Sequence, residues 1–137
     1  MRVGFDWRPA MLLQAGTGRY AAELAAAIAA SGDCELELFA TSWAGPRTPL
    51  QPPPGARLHR HRIPGRLLGV CASFGLDASR LCGRPDLFHH THFAWTPVHG
   101  IPQVATIFDC VYATHPETLT PGAGERLMRR TRRLASA

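Results

Sequence analysis

Residues 1–40 read MRVGFDWRPAMLLQAGTGRYAAELAAAIAASGDCELELFA, and this stretch decides the fold. Residues 1–6 predict a short buried strand that turns polar at Asp6. The next segment is predicted to be a loop, because it shows no helical or strand periodicity before it ends in a turn of small residues. The loop contains Trp7, Arg8 and Pro9 and ends at Gly16-Thr17-Gly18.

The run from Arg19 to about Ala30 predicts the first long helix. Its apolar side chains recur every four residues on one face, at Tyr20, Leu24 and Ile28. Residues 34–40 alternate apolar and acidic side chains, which predicts a second strand with one face partly wet. Strand, helix and strand in this order form a βαβ unit.

The rest of the chain continues the same alternation after a Gly- and Pro-rich loop over residues 45–56. We predict a third strand over 57–63, a helix from Pro64-Gly65 to about Phe74, strands over 86–91 and 103–107, and a final helix over 121–137. Alternating strands and helices favour one α/β domain with a Rossmann-like parallel sheet flanked by helices.

Composition limits the classes of function. The chain has 137 residues, a net charge of +5 and fifteen basic residues that are all Arg. This usage is typical of a GC-rich genome, and without a nucleic-acid motif it predicts no nucleic-acid partner. The four cysteines lack paired spacing and are predicted to be reduced thiols. Because neither a signal peptide nor a membrane span is found, we predict a cytoplasmic protein.

The glycine turn before the first helix is the sharpest local feature. Backbone N–H groups and the helix dipole favour a phosphate at such a terminus, and glycines allow its close approach, so Gly16, Thr17, Gly18 and Arg19 are candidate phosphate ligands. A tight loop without a ligand remains an alternative. A dinucleotide site is disfavoured, because the turn does not follow the strand at once and no acidic residue ends the second strand.

Polar residues also end two later strands. The histidine-rich stretch His89-His90-Thr91-His92 could line a cleft; a metal site is disfavoured because a third and a fourth ligand are lacking. Asp109 ends the next strand, where it either orients a hydroxyl or caps the following turn. The arginine cluster of the last helix is either a solvated face, which is favoured, or a contact with an anionic membrane or nucleic acid, and its members are Arg126, Arg129, Arg130, Arg132 and Arg133.

Five short blocks follow one another along the chain: residues 1–6, the Gly16-Thr-Gly-Arg-Tyr20 turn, Pro85-Asp-Leu-Phe-His89, Pro102-Gln-Val-Ala-Thr-Ile-Phe-Asp109 and His115-Pro-Glu117. In their order and spacing, these blocks resemble family 4 glycosyltransferases. The resemblance implies the GT-B architecture, in which an N-terminal domain receives the acceptor and a C-terminal domain holds the sugar nucleotide. Residues 1–137 are then expected to be the acceptor-side domain, itself incomplete and without the donor domain.

The resemblance also implies roles for individual residues. It places Gly16, Thr17 and Gly18 against the donor phosphates, and His89 and Asp109 at the acceptor side of the cleft. Together with the patterns above, we also expect Arg19 to bind the donor phosphates, His92 to bind the acceptor, and Asp109 to be the catalytic carboxylate. It implies a hexosyl transfer that is retaining and independent of metal or cofactor, with a nucleotide-sugar and a glycan or lipid-linked acceptor as partners. A location at the inner face of the membrane follows from a lipid-linked acceptor.

Two departures from the family pattern leave alternatives open. Phe108 stands where relatives often have a histidine, and phenylalanine can neither hydrogen-bond nor shuttle a proton. The donor domain is also missing from the chain, so these residues alone are expected to show no transferase activity. The alternatives are a non-catalytic binding module, a fragment that needs a separate second half, and, least favoured, an oxidoreductase.

Overall fold

The computed structural model describes residues 1–12, 16–43, 51–64, 67–93 and 95–135. Five strands form one sheet in the order β3-β2-β1-β4-β5, and every neighbouring pair is parallel. The predicted α/β fold is confirmed, and this strand order is that of a Rossmann-like fold. The strands are β1 (Arg2–Asp6), β2 (Glu35–Thr41), β3 (Arg57–His61), β4 (Leu87–His90) and β5 (Gln103–Ala105).

Six helices and a short 3-10 turn at Pro116–Thr118 accompany the sheet in the described part of the chain. None of the helices within those residues is long and apolar enough to cross a membrane. The helices are α1 (Arg8–Leu12), α2 (Gly16–Ser31), α3 (Leu68–Ser73), α4 (Ala78–Leu81), α5 (Val111–Thr114) and α6 (Ala123–Ala135).

The segment that follows β1 differs from its prediction as a loop, because it forms the short helix α1. The amide of Met11 donates to the carbonyl of Trp7 over 3.2 Å, which closes a helical turn. Pro9 is compatible with that turn, because the first residues of a helix need no N–H partner within it. Helix α2 also starts earlier than predicted, since Gly16 is its first residue rather than part of a preceding turn.

Parts of several predicted elements lie outside the described residues. They are residues 13–15 of the first predicted loop, 44–50 of the proline-rich loop and its approach, Gly65 and Arg66 near the start of the helix predicted from Pro64 to about Phe74, and Ser136 and Ala137 at the end of the last predicted helix.

The main core lies between α2 and the strands β1 and β2. Here Ala21 and Ala25 are fully buried, whereas Leu24 and Ile28 pack at the margin. The helix therefore contacts the sheet through its small side chains, and the larger ones that were predicted to form the apolar face lie beside that contact. Small residues occupy the centre because a helix that lies close to a sheet leaves little room for side chains. A second cluster contains Phe39, Ala78, Cys82, Phe88 and Val98.

Strand β2 is buried on both faces, so the prediction of a partly wet face is wrong. It lies between β1 and β3, and after Glu35 every residue of the strand is buried. The carboxylate of Glu37 is 3% exposed and meets His59 Nε2 at 2.5 Å and Arg57 Nη1 at 3.5 Å. These partners compensate a carboxylate that burial would otherwise penalise.

Gly4 marks the closest packing of β1. A Cβ atom built at this position would lie 2.7 Å from both Phe88 Cδ2 and Pro85 Cγ. We expect Gly4→Ala to lower the free energy of unfolding by about 1–3 kcal/mol, because an added methyl group forces well-packed neighbours to move. Urea unfolding followed by circular dichroism measures this loss. Gly69→Ala is the control, since the space around Gly69 is open; equal losses in both variants would contradict the argument.

Candidate active site

The candidate site lies at the carboxyl edge of the sheet, defined here as the ends of β1, β4 and β5 together with the first turn of α2. Strand order runs outward from β1 in one direction through β2 and β3 and in the other through β4 and β5. The reversal places a crevice between the carboxyl ends of β1 and β4, which is where open α/β sheets bind ligands.

A buried ion pair forms the base of this crevice. Arg8 donates from Nε to Asp6 Oδ1 at 2.8 Å and from Nη2 to Asp6 Oδ2 at 2.5 Å. The backbone N–H of Arg8 also donates to Oδ1 at 3.1 Å, which ties the start of α1 to the end of β1. Burial alone would raise the pKa of Asp6, but the charge and hydrogen bonds of Arg8, with a smaller contribution from His92, hold that pKa below its ordinary value.

The same pair fixes the chain that leaves β4. Thr91 donates from Oγ1 to the carbonyl of Asp6 at 2.7 Å, and Thr96 donates to Asp6 Oδ2 at 3.3 Å. Arg8 Nη2 donates to Thr96 Oγ1 as well. His92 Nδ1 lies 3.6 Å from Asp6 Oδ2. The predicted acceptor residue His92 therefore stands beside a carboxylate whose position is set by a bidentate arginine.

Burial favours the neutral form of three histidines of β4 and its exit. Burial lowers the pKa of His89, His90 and His92 below the ordinary imidazole value. At His92 the carboxylate of Asp6 opposes this effect, whereas the charge of Arg8 adds to it. A neutral imidazole can accept a proton or a hydrogen bond from a hydroxyl group.

A chain of hydrogen bonds joins β4, β5 and α2. His89 Nε2 lies 2.9 Å from Thr106 Oγ1, and the hydroxyl of Tyr20 lies 3.0 Å from the same oxygen. The ring of His89 packs edge-on against the buried ring of Phe5 at 5.4 Å between centroids. Phe108, the departure from the family pattern, packs edge-on against Tyr20 at 5.0 Å. These contacts hold the predicted acceptor residue His89 beside the first turns of α2.

The predicted phosphate ligands occupy the first turn of α2. Gly16 and Arg19 are exposed, Thr17 is half-buried and Gly18 is buried. This first turn carries no acidic side chain. With 16 residues, α2 is long enough for an aligned set of peptide dipoles to favour an anion at Gly16 and Thr17.

Asp109 begins the turn of α5. It is exposed, and its Oδ1 accepts the backbone N–H of Val111 at 3.1 Å. The sequence left open whether Asp109 orients a hydroxyl group or caps the following turn, and the structure contains the capping hydrogen bond. The carboxylate remains accessible to solvent, so the capping bond leaves its second oxygen for another donor.

Two histidines of the stretch considered for a metal site are hydrogen-bonded to protein groups through Nε2. His90 Nε2 lies 2.7 Å from Gln103 Oε1, and His89 Nε2 lies 2.9 Å from Thr106 Oγ1. Nδ1 of His90 and Nδ1 of His92 have no hydrogen-bond partner among the described residues. Over the described ranges, no group of three or more His, Cys, Asp or Glu side chains is placed to hold a metal ion.

Sequence patterns miss the residues that connect the site. Arg8 lies in a segment predicted to be irregular, and its pairing with Asp6 has only a weak signal, an acidic and a basic residue two positions apart at a strand end. Periodicity assigns Tyr20 to the apolar face of α2, although its hydroxyl reaches Thr106 across 86 positions of sequence. Such contacts depend on strand order, which a pattern of single residues does not encode.

Comparison of the chain with known protein families, with curated proteins and with solved structures finds no match. The function must therefore be argued from the residues of the carboxyl edge themselves.

Proposed function

We propose that the chain is the acceptor-side domain of a glycosyltransferase that moves a hexosyl group from a nucleotide-sugar to a hydroxyl acceptor. One observation carries the proposal: Thr106 joins His89, at the end of β4, to Tyr20 in the second turn of α2. An anion-favouring helix terminus and a hydroxyl-binding imidazole are thereby fixed relative to each other. This combination suits a phosphorylated donor that faces an alcohol acceptor.

Each predicted residue takes a role in this proposal. The amides of Gly16 and Thr17 meet the donor phosphates, with Arg19 adding positive charge. His89 and His92, both uncharged, orient the acceptor hydroxyl group. Asp109 contacts the reacting sugar through the carboxylate oxygen that does not cap α5. The transfer proceeds without metal or cofactor and with retention at the anomeric carbon, and a second domain supplies the remaining donor contacts.

The proposal is tested on the protein encoded by the complete reading frame, with a panel of nucleotide-sugar donors and lipid and glycan acceptors. We expect release of nucleoside diphosphate together with labelled product of retained configuration, and no turnover by residues 1–137 alone. His89→Ala should lower kcat/KM about tenfold, the loss expected for one hydrogen bond at the reacting hydroxyl. His99→Ala is the control, because His99 is exposed and precedes β5. Absence of turnover with every donor would refute the proposal.

A non-catalytic binding module is the second candidate, and Phe108 favours it. Its ring occupies the space beside Tyr20 and is 39% exposed, so an apolar surface stands where the family pattern has a hydrogen-bonding group. Saturable binding of a glycan by the complete protein without turnover of any donor would support this candidate over the enzyme.

We extend the proposal to contact with an anionic membrane through α6. The apolar side of this helix faces the protein, with Leu134 buried and Leu127 half-buried, whereas all five of its arginines are exposed. Its acidic residue Glu125 lies 3.7 Å from Arg129. An exposed cationic face of this kind attracts anionic lipid at about 1 kcal/mol for each arginine near the surface.

Cosedimentation with vesicles measures the membrane contact. The chain should bind phosphatidylglycerol-containing vesicles but not pure phosphatidylcholine, and added salt should weaken the binding. Replacing four arginines of α6 by Gln should lower the partition coefficient at least about 100-fold; they are Arg126, Arg129, Arg130 and Arg132. The control replaces four exposed arginines elsewhere, namely Arg60, Arg62, Arg80 and Arg84. If the control loses as much binding, net charge rather than α6 is responsible.

A further inference from the structure

His92 and Asp6 face each other where the chain leaves β4, and the contact is made through one nitrogen of the imidazole. His92 Nδ1 lies 3.6 Å from Asp6 Oδ2. This nitrogen is buried and has no hydrogen-bond partner among the described residues. A separation of 3.6 Å is too long for a hydrogen bond, but a charge at that distance acts strongly on the nitrogen. Whether Nδ1 carries a proton or a lone pair therefore depends on this carboxylate.

The carboxylate of Asp6 is ionised and held in place. Arg8 binds both of its oxygens, through Nε to Oδ1 and through Nη2 to Oδ2. Thr96 donates to the same Oδ2 at 3.3 Å. Although burial alone would raise it, the pKa of Asp6 stays below its ordinary value because of Arg8. A fixed negative charge therefore faces Nδ1 of His92 at physiological pH.

Several groups act on the imidazole of His92, and Asp6 is the one that favours a proton on it. Burial lowers the pKa of His92 most, and three neighbours lower that pKa further, namely Arg8, Arg130 and His90. Asp6 raises the pKa by more than any one of these neighbours lowers it. The neutral imidazole that burial favours still carries one proton, on either Nδ1 or Nε2. Since the carboxylate repels a lone pair on Nδ1 and attracts an N–H group there, the proton belongs on Nδ1.

A proton on Nδ1 leaves the second nitrogen, Nε2, with a lone pair. The side chain of His92 keeps 19% of its surface exposed, although Nδ1 itself is shielded from solvent. We propose that Asp6 is a positioning residue: its carboxylate keeps the proton of His92 on Nδ1 and leaves Nε2 to accept a hydrogen bond from a substrate hydroxyl group. In hydrolytic triads an aspartate sets the tautomer of a histidine in the same way, without taking up the proton itself. The tautomer follows from the geometry alone, whereas the use of Nε2 rests on the proposed function.

Nuclear magnetic resonance of the full chain, with isotope-labelled histidine nitrogens, tests the tautomer without any donor or acceptor. Each imidazole nitrogen has a different chemical shift with and without its proton. At a pH above the histidine range, we expect His92 to be protonated at Nδ1. His99 is the reference, because it is exposed and should show the mixture of tautomers of a free side chain. His92→Gln identifies the signals. A proton on Nε2 of His92, or a mixture equal to that of His99, would overturn the proposal.

The matched variants are Asp6→Asn and Thr96→Val. Both disturb the hydrogen bonds around Asp6 Oδ2, but only Asp6→Asn removes the negative charge. Asp6→Asn should lower the ratio of Nδ1-protonated to Nε2-protonated His92 at least about tenfold, whereas Thr96→Val should leave the ratio within about twofold. Asp6→Asn combined with Arg8→Met provides a more stable protein in which the same change of tautomer is expected. Equal changes in Asp6→Asn and Thr96→Val would assign the tautomer to packing and overturn the proposal.

Activity of the protein encoded by the complete reading frame tests the use of Nε2. His92→Gln places an amide near the position of Nε2, whereas His92→Asn places one near Nδ1, so we expect kcat to be about tenfold higher in the Gln variant. Equal losses of kcat would overturn the role of Nε2. A protein that turns over a donor with His92 protonated at Nε2 refutes the positioning by Asp6 alone. Protonation at Nδ1 without turnover of any donor supports that positioning and refutes the transferase.

Discussion

Asp6→Asn is expected to lower the free energy of unfolding by about 3–5 kcal/mol, the range for breaking a buried ion pair by removing one partner. The substitution keeps the shape of the side chain but takes away the counter-charge of the buried Arg8 guanidinium. It also weakens the acceptors that Thr96 and Arg8 use. Urea unfolding followed by circular dichroism measures the loss.

The controls separate charge from general damage. Asp33→Asn, at an exposed position between α2 and β2, should change stability by less than about 0.5 kcal/mol. Asp6→Asn combined with Arg8→Met should be more stable than Asp6→Asn alone, because the cation that lost its counter-charge is then removed. A double variant that loses the sum of both single losses would contradict the ion-pair explanation.

The stability difference between the wild type and Asp6→Asn should depend on pH in a definite direction. The pKa of Asp6 is lower in the folded protein than in the unfolded chain, so its stabilisation is complete above the unfolded pKa of about 4 and is lost as pH falls through the folded pKa. The difference in stability between the wild type and Asp6→Asn should therefore shrink below about pH 4. A difference that stays constant to the acid limit would contradict the depressed pKa.

His59→Leu is expected to cost about 3 kcal/mol, because it leaves Glu37 inside the sheet without its nearest partner. Arg57 remains 3.5 Å from the Glu37 carboxylate. Its side chain is 73% exposed, however, so solvent screens its charge and weakens its attraction to Glu37. Thermal and urea unfolding measure the effect. His115→Leu is the control, since His115 is exposed and contacts the equally exposed Glu117.

Replacing both partners should have a different outcome. Glu37→Met together with His59→Leu removes the buried charge along with its counter-ion, and it is expected to recover most of the stability lost in His59→Leu. Recovery fails if the main role of Glu37 is its shape. The Glu37 side chain lies close to Gly83, since a Cβ built on Gly83 would lie 3.1 Å from the Glu37 carboxyl carbon. No recovery would assign the loss to packing rather than to charge.

The strands and most of α2 were predictable because their side-chain patterns are local, whereas the short helices α1, α4 and α5 were not predicted. The end of β1 at Asp6 is visible in the sequence alone, whereas β4 ends at His90 rather than at the predicted Thr91, and α2 begins at Gly16, inside the turn that was predicted to precede it. The burial of Glu37 was not predictable. Alternating apolar and acidic residues indicate a strand with one face open to solvent, whereas both faces of β2 are covered. The partner of Glu37, His59, lies 22 positions later and meets it through the pairing of β2 with β3.

The candidate site was predictable to a lesser degree. Strand-end positions correctly located Asp6 and the histidines at one edge, since parallel strands bring their carboxyl ends together. The contacts among them depend on side-chain geometry, as when Arg8 reaches Thr96 across 88 positions. Asp109 illustrates the limit, because a strand-end carboxylate and a turn cap have the same sequence signature.

The central place of β1 has a consequence for the order in which the protein is built. Its pairing with β2 joins residues about 33 positions apart, whereas its pairing with β4 joins Val3 to Leu87. During synthesis, β1, α2, β2 and β3 can assemble while one edge of β1 still waits for a partner made much later. Closing that long loop costs entropy and slows the step. The crevice between β1 and β4 therefore cannot form before residues 87–90 have been made, and until then one edge of β1 lacks its native partner.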